Sequence, residues 1–217
     1  MSNTQHSGFH ETALAAVNEA LTVLGQDVVL TPETFATTSR DAHGRKAAYL
    51  YESARMRVLR EHPWSFARRE IDAAACCGEC EAYPWRAPAP RCARIVSCLD
   101  CAGGQVEFRI AGREIHAAEP FRKIVITADV EDLDKWAPDV YRALVLRLAA
   151  DLAKPVTGRI NERQLQEQAY QDMIAAAKLN DARESNVPYD PYGRNYYVER
   201  MRGEPEGMHR FFRPGRY

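Results

Sequence analysis

The run from Pro138 to Pro155 constrains this chain more than any other, because a helix built from it has almost no polar face. Tyr141, Leu144, Val145, Leu148 and Leu152 recur at helical spacing, and Ala143, Leu146, Ala149, Ala150 and Ala153 fill most of the remaining circumference. A helix that is apolar nearly all round must be surrounded, since one neighbour hides only one flank from water. Pro138 suits a first helical turn, and Pro155 and Gly158 are expected to stop the helix. The rest of the chain has to supply the elements that wrap it.

Three segments qualify. Leu14, Val17, Leu21 and Leu24 form one apolar stripe, and Gly25 follows as a C-terminal stop. After the helix-entry signature Thr31-Pro32-Glu33, residues Ala47, Tyr51, Ala54 and Val58 share a second stripe with Lys46 and Arg57 on its flank. Pro63 ends that helix by forcing the residue before it out of the α region, and Trp64 and Phe66 offer two large anchors at the junction. Beyond Gly158, Leu165, Ala169, Met173 and Ala176 predict a fourth helix, with Tyr170, Ile174 and Ala177 beside the stripe.

Between these helices the period changes. Residues 69–130 lose the helical repeat, Pro84, Pro88 and Pro90 crowd together, and Val106, Phe108 and Ile110 alternate with Gln105, Glu107 and Arg109 as in a strand. Ala111-Gly112 can turn the chain, and Ile124 and Ile126 suggest a returning strand. The expected fold class is α+β, mainly α. Its helical bundle body comes from residues 1–68 and 131–184, a small antiparallel β insertion spans 69–130, and an extended tail spans 185–217.

Charge and size exclude several functions. The 217 residues carry 29 basic and 30 acidic side chains, a net charge of -1, so no global field draws the protein to nucleic acid or to an anionic membrane. No run reaches the roughly 18 apolar residues of a membrane span, and Met1 to His6 lack the basic and apolar parts of a leader, which reads as a soluble, unexported chain. Arg68-Arg69 beside the aromatic pair fits a solvated rim better than a phosphate contact. Glu131-Asp132-Leu133-Asp134 fits a solvated loop leading to Trp136 better than a cation site.

All six cysteines fall between Cys76 and Cys101. Cys77-Gly-Glu-Cys80 and Cys98-Leu-Asp-Cys101 are separated by 17 residues, a spacing that fits a structural zinc held by four thiolates. Plain thiols, buried or exposed, and a disulfide fit as well. Cys76 and Cys92 are surplus to a four-ligand site, and the glycines and basic residues usual around such knuckles are missing. No phosphate-binding loop, dinucleotide fingerprint, His-Glu-x-x-His or Gly-x-Ser-x-Gly occurs, so nothing points to an enzyme.

Residues 185–217 hold four prolines, four glycines, five tyrosines, two phenylalanines and six arginines without a sustained period. Such a segment has no core of its own, yet its aromatics and arginines are the residue types that anchor interfaces. Tyr189, Tyr192, Tyr196, Tyr197, Arg210, Phe211, Phe212 and Arg213 are the candidate partner-binding residues.

The stretch Leu59-Arg60-Glu61-His62-Pro63-Trp64-Ser65-Phe66-Ala67 with Arg68-Arg69 resembles a junction in the head-to-tail adaptor (connector) family of tailed phages, which includes tail tubular protein A. Tyr83-Pro84-Trp85 with Pro88 to Ile95, Phe108 to Ile115, and Trp136-Ala137-Pro138 through Gly158 continue the likeness in order, over about residues 12–184. The resemblance implies a non-enzymatic virion protein, made in the host cytoplasm, that forms a homo-oligomeric ring of about twelve copies closed by head-to-tail contacts. It implies further that the ring joins the portal protein to tail or nozzle proteins at the head-to-tail junction. DNA would pass through the channel without sequence-specific binding, the C-terminal segment would reach the portal, and no membrane or cofactor would be needed. The resemblance neither requires nor excludes zinc. The paired cysteines leave an alternative, a zinc-ribbon regulatory or nucleic-acid-binding protein, which the near-neutral charge disfavours.

Overall fold

The computed structural model describes residues 4–27, 29–36, 38–73, 76–77, 83–158 and 160–184. Its helices and strands all belong to one unit, residues 1–184. Among the described residues four helices, α1 (Thr4–Val23), α2 (Ala42–Glu61), α3 (Pro138–Thr157) and α4 (Ile160–Glu184), make the body, and eight strands lie between α2 and α3. The fold is mainly-α α+β.

The helix expected at the centre is there. Val140, Leu144, Val145, Leu148, Ala149 and Leu152 of α3 are fully buried, and α1, α2 and α4 all pack against it. Each such leucine contributes about 2 kcal/mol by leaving water. From α1 come Ala13, Ala16, Val17, Ala20 and Leu21, and from α2 come Ala47, Tyr51, Ala54, Val58 and Leu59.

Helix ends follow local chemistry. Gly25 turns α1 off with φ +66°, and Gln26 N–H returns to the Leu21 carbonyl at 3.0 Å. The Thr31-Pro32-Glu33 signature makes only a closed turn, with Phe35 N–H on Thr31 O at 2.9 Å, and α2 starts later, where the Asp41 carboxylate accepts Gly44 N–H. That turn passes so near α2 that a Cβ on Gly44 would lie 2.0 Å from Thr34 O. Contrary to expectation, Pro155 does not stop α3. It removes a single backbone donor in the last turn, Lys46 Nζ donates to its carbonyl at 3.0 Å, and the helix ends at Gly158 with φ +70°.

The apolar stripe of α4 is also rotated from the expected one. Gln166, Tyr170, Ile174, Ala177 and Asp181 face the body, whereas Leu165 is 62% exposed and Ala176 is exposed. Ala169 and Met173 of the expected stripe still pack at its edge, and Tyr170, Ile174 and Ala177, expected beside it, are the buried row; two of the inward residues are polar, so hydrophobic spacing alone places the stripe about one residue off. Gln166 donates to Glu162 at 3.0 Å, and Asp181 accepts from Ser65 N–H and Oγ–H at 3.0 and 2.6 Å.

The insertion is larger than one small sheet. Strands β1 (Arg68–Asp72), β2 (Cys76–Cys77), β3 (Trp85–Pro88), β4 (Arg94–Leu99), β5 (Gln105–Val106), β6 (Phe108–Ala111), β7 (Glu114–Ala117) and β8 (Lys123–Thr127) form two antiparallel sheets, in the orders β1-β8-β4-β5 and β2-β3-β7-β6. Ala87, Cys98, Val106, Ile115, Ala117, Phe121, Ile124 and Ile126 make their shared core. The alternating run read as one strand breaks at Glu107: β5 pairs with β4, β6 pairs with β7, and the chain passes from one sheet to the other. Ile110, beyond the covered part, is 55% exposed.

Helices and sheets join at the aromatic junction. Trp64 is fully buried and donates its indole N–H to Val58 O at 2.9 Å. Phe66 packs between Trp64 and Trp136 at ring distances of 6.3 and 5.6 Å. Leu133, within the acidic run, is buried just before Trp136 in a short 3-10 turn capped by Asp132.

Candidate functional site: the cysteine strands, the buried ion pairs and the outer face of α4

Of the four cysteines in the zinc pattern, the structure describes the side chains of two, and it does not bring them to one face. Cys98 lies inside β4, and its fully buried side chain points into the core between the sheets, where burial pushes the thiol up to about 11. Cys101 is exposed in the turn that follows, which the Asp100 carboxylate shapes by accepting Ala102 and Gly104 N–H at 2.7 and 2.8 Å. Cys77 contributes backbone to β2 opposite Trp85, and its side chain and Cys80 lie outside the described residues. Among the described residues no group of three or more His, Cys, Asp or Glu side chains is placed to hold a metal ion. Zinc binds thiolate, and a thiol raised by an apolar surround is a poor ligand until it leaves that surround.

Cys92 stands half-buried between Arg91 and Arg94. Desolvation raises its thiol, opposed by a hydrogen bond from Arg94 N–H and by the charge of Arg60. The interface residues expected in the tail, Tyr189, Tyr192, Tyr196, Tyr197, Arg210, Phe211, Phe212 and Arg213, all lie outside the described residues.

Two buried arginines went unnoticed in the sequence. Arg55, 2% exposed, bonds Glu52 at 2.8 Å, Asp129 and the Val130 carbonyl at 3.2 Å, fastening α2 to the chain leading into α3. Burial pulls its pKa down, but the hydrogen bonds it donates to Asp129 and Glu52 more than reverse this and raise it. Arg147, 4% exposed, bonds Asp151 and Glu167 and lies 5.6 Å from the Tyr170 ring centre, joining α3 to α4. Their signal was an arginine at a core position of an apolar stripe with a carboxylate three or four residues away. Asp181 makes a third tie, holding Ser65 and, at 3.2 Å, His62 Nε2. These are ties between elements.

On the outer face of α4 the exposed residues from Gln164 to Asn180 are Gln164, Leu165, Gln168, Gln171, Asp172, Ala175, Ala176, Leu179 and Asn180, with Asp172 the one charge in that stretch before the exposed Arg183 and Glu184. Leu179 is 52% exposed. Four of these nine are leucine or alanine and four are glutamine or asparagine, and low charge is the feature that such a stretch shares with the core of a protein interface. No helix among the described residues is long and apolar enough to cross a membrane. No protein-family model matches the chain, and no curated protein is significantly similar to it.

Proposed function

We propose that this chain is a structural, non-enzymatic subunit of a head-to-tail adaptor ring, located in the virion between the portal and the tail, with DNA leaving through its centre. The observation that carries the reading is the charge-poor outer face of α4, with Leu165 and Leu179 open to solvent on a body whose own core is already closed. Such a face asks for a protein neighbour, and copies joined through unlike faces close into a ring when the rotation allows. The ordered likeness of residues 12–184 to the adaptor family supplies the kind of ring. In this reading the tail residues from Tyr189 to Arg213 form the arm that reaches the portal, and ordering that arm on docking offsets part of the binding energy.

No metal is required. A zinc held by Cys77, Cys80, Cys98 and Cys101 would be a local staple of the two sheets, and it would need Cys98 to turn out of their core. Negative-stain imaging of the purified protein with its portal tests the adaptor reading: rings seated on one end of the portal are expected, and persistent monomers without portal binding would refute it.

A further inference from the structure

The two sheets end in the edge strands β1, β5, β2 and β6, and the first three offer little to a further strand. On β1 every residue but Ile71 is charged, and the Arg69 guanidinium sits on the Phe66 and Arg68 carbonyls at 3.2 and 2.7 Å. Strands β2 and β5 are two residues long each. Charge and short length are the usual protections of a sheet edge. Strand β6 is the exception: it pairs over four residues without a bulge, holds no proline, and carries Ile110 at 55% exposure.

The parity of the β6–β7 hairpin fixes which backbone groups face that edge. Phe108, Arg109, Ile110 and Ala111 stand opposite Ala117, His116, Ile115 and Glu114, and Ala118 N–H donates to Glu107 O at 3.1 Å. Bonded and non-bonded positions alternate along an antiparallel pair, so Glu107, Arg109 and Ala111 bond toward β7. Phe108 and Ile110 therefore turn their N–H and C=O outward, where β6 ends the sheet. The Ile110 side chain shares a face with Ile115 opposite, which is fully buried in the core between the sheets. It continues that apolar surface into solvent. Gly112, with φ +63°, then turns the chain and leaves Arg113 exposed at the tip, without an ion pair among the described residues.

We propose that β6 is the docking edge for a second copy of this chain, the two β6 strands pairing antiparallel about a two-fold axis at Ile110. The occupant follows from the complementarity of the strand to itself. With the axis there, Ile110 exchanges both outward backbone bonds with the partner's Ile110. The two exposed isoleucines lie side by side, and each Phe108 is the diagonal neighbour of the partner's Ile110. On the other face Arg109, whose guanidinium lies 4.7 Å from the centre of the Tyr83 ring, meets the partner's small Ala111. Three positions from the axis, Glu107 comes opposite the partner's Arg113, and the two-fold repeats this charge pair. Glu107 is exposed and binds Tyr83 Oη–H through Oε1 alone, so Oε2 is open to the arginine. An axis at Phe108 has the same parity but sets Ile110 against Val106, which belongs to the other sheet, and leaves Arg113 unmatched. The contact closes at two copies because it is isologous. It is small, so the dimer forms as concentration rises. It uses a surface apart from the outer face of α4 and does not rest on the adaptor reading.

The test is sedimentation velocity of the full chain over a series of concentrations, which separates dimers from monomers and from rings. A monomer–dimer equilibrium is expected. Ile110→Lys sets two ammonium groups directly opposite each other, and Ile110→Pro removes an N–H that β7 does not use; each is expected to weaken the dimer by about tenfold or more, with circular dichroism unchanged. Two variants keep the test decisive if one of them misfolds. Glu107→Arg and Arg113→Glu alone are each expected to weaken the dimer, and Glu107→Arg/Arg113→Glu together to restore it, which a merely structural role would not do. Monomers at every concentration of the wild-type chain, a dimer that survives both Ile110 substitutions, or charge reversals without rescue would overturn the proposal. So would loss of the dimer in Leu165→Glu/Leu179→Glu, which would assign the association to α4. Absence of portal binding with the dimer intact would refute the adaptor reading alone, so the two failures are separate results.

Discussion

Replacing Arg147 with alanine isolates the tie between α3 and α4. The guanidinium is 5% exposed and holds Asp151 at 2.5 Å and Glu167 at 2.6 Å, with side-chain exposures of 18% and 33% for the two carboxylates. Breaking a buried pair from one side costs 3–5 kcal/mol on the order of magnitude, mostly from the charge left behind. Glu167 reaches water and recovers part of that, while loss of the arginine stem from the Tyr170 ring adds a little. About 3 kcal/mol is the expected loss. With a urea slope of about 2 kcal/mol per molar for a chain of this size, the midpoint moves down by about 1.5 M. Equilibrium unfolding followed by circular dichroism reads this directly. Arg147→Met/Asp151→Leu/Glu167→Leu, which removes the carboxylates too, should regain more than half of the loss. A midpoint shift under about 0.5 M for Arg147→Ala would mean that the pairs contribute nothing net and that α4 is held by apolar contacts alone.

Five further outcomes are expected. Leu165→Glu/Leu179→Glu leaves the thermal midpoint within about 2 °C, as surface changes do, but abolishes ring assembly in negative stain; intact rings would remove α4 from the interface. Deleting residues 185–217 leaves a body with unchanged helical dichroism that no longer binds the portal, and retained binding in a pull-down would show that the tail is not the anchor. In native protein Cys101 reacts with iodoacetamide and Cys98 does not, as peptide mass spectrometry can check. A thiol pushed up to about 11 when folded, against 9.0 unfolded, stabilises the fold below pH 9, and that contribution is lost as pH rises from about 9 to 11. Prolonged treatment with a chelator leaves the thermal midpoint unmoved if Cys98 stays in its core, and a drop would show that a metal staples the sheets.

How far the fold was legible depended on whether the deciding interaction was local. The run around Leu144 to Leu152 announced a surrounded helix because nothing in its own sequence permits another environment. The turn chemistry at Gly25 and Gly158 was equally readable, since a positive φ is a property of a single residue. The face of α4 was not. Its inward row includes Gln166 and Asp181, and the latter is buried only because Ser65 and His62, more than a hundred positions earlier, bring donors to it. The same holds for the cysteines: a Cys-x-x-Cys spacing says nothing of strand or turn, and β4 carries Cys98 inward while the chain leaves Cys101 outside.

The sequence by itself determined the mainly helical α+β class, the central helix, the change of texture between residues 69 and 130 and the aromatic junction at Trp64 and Phe66, because each follows from periodicity or backbone preference over a few residues. Only the tertiary structure decided which face of α4 is covered, that the alternating run splits between two sheets at Glu107, and that Arg68 and Arg94 stand in one row across Thr127. Those outcomes depend on register between strands distant in sequence and on charges neutralised, or left free, by residues far along the chain, and no local pattern encodes them.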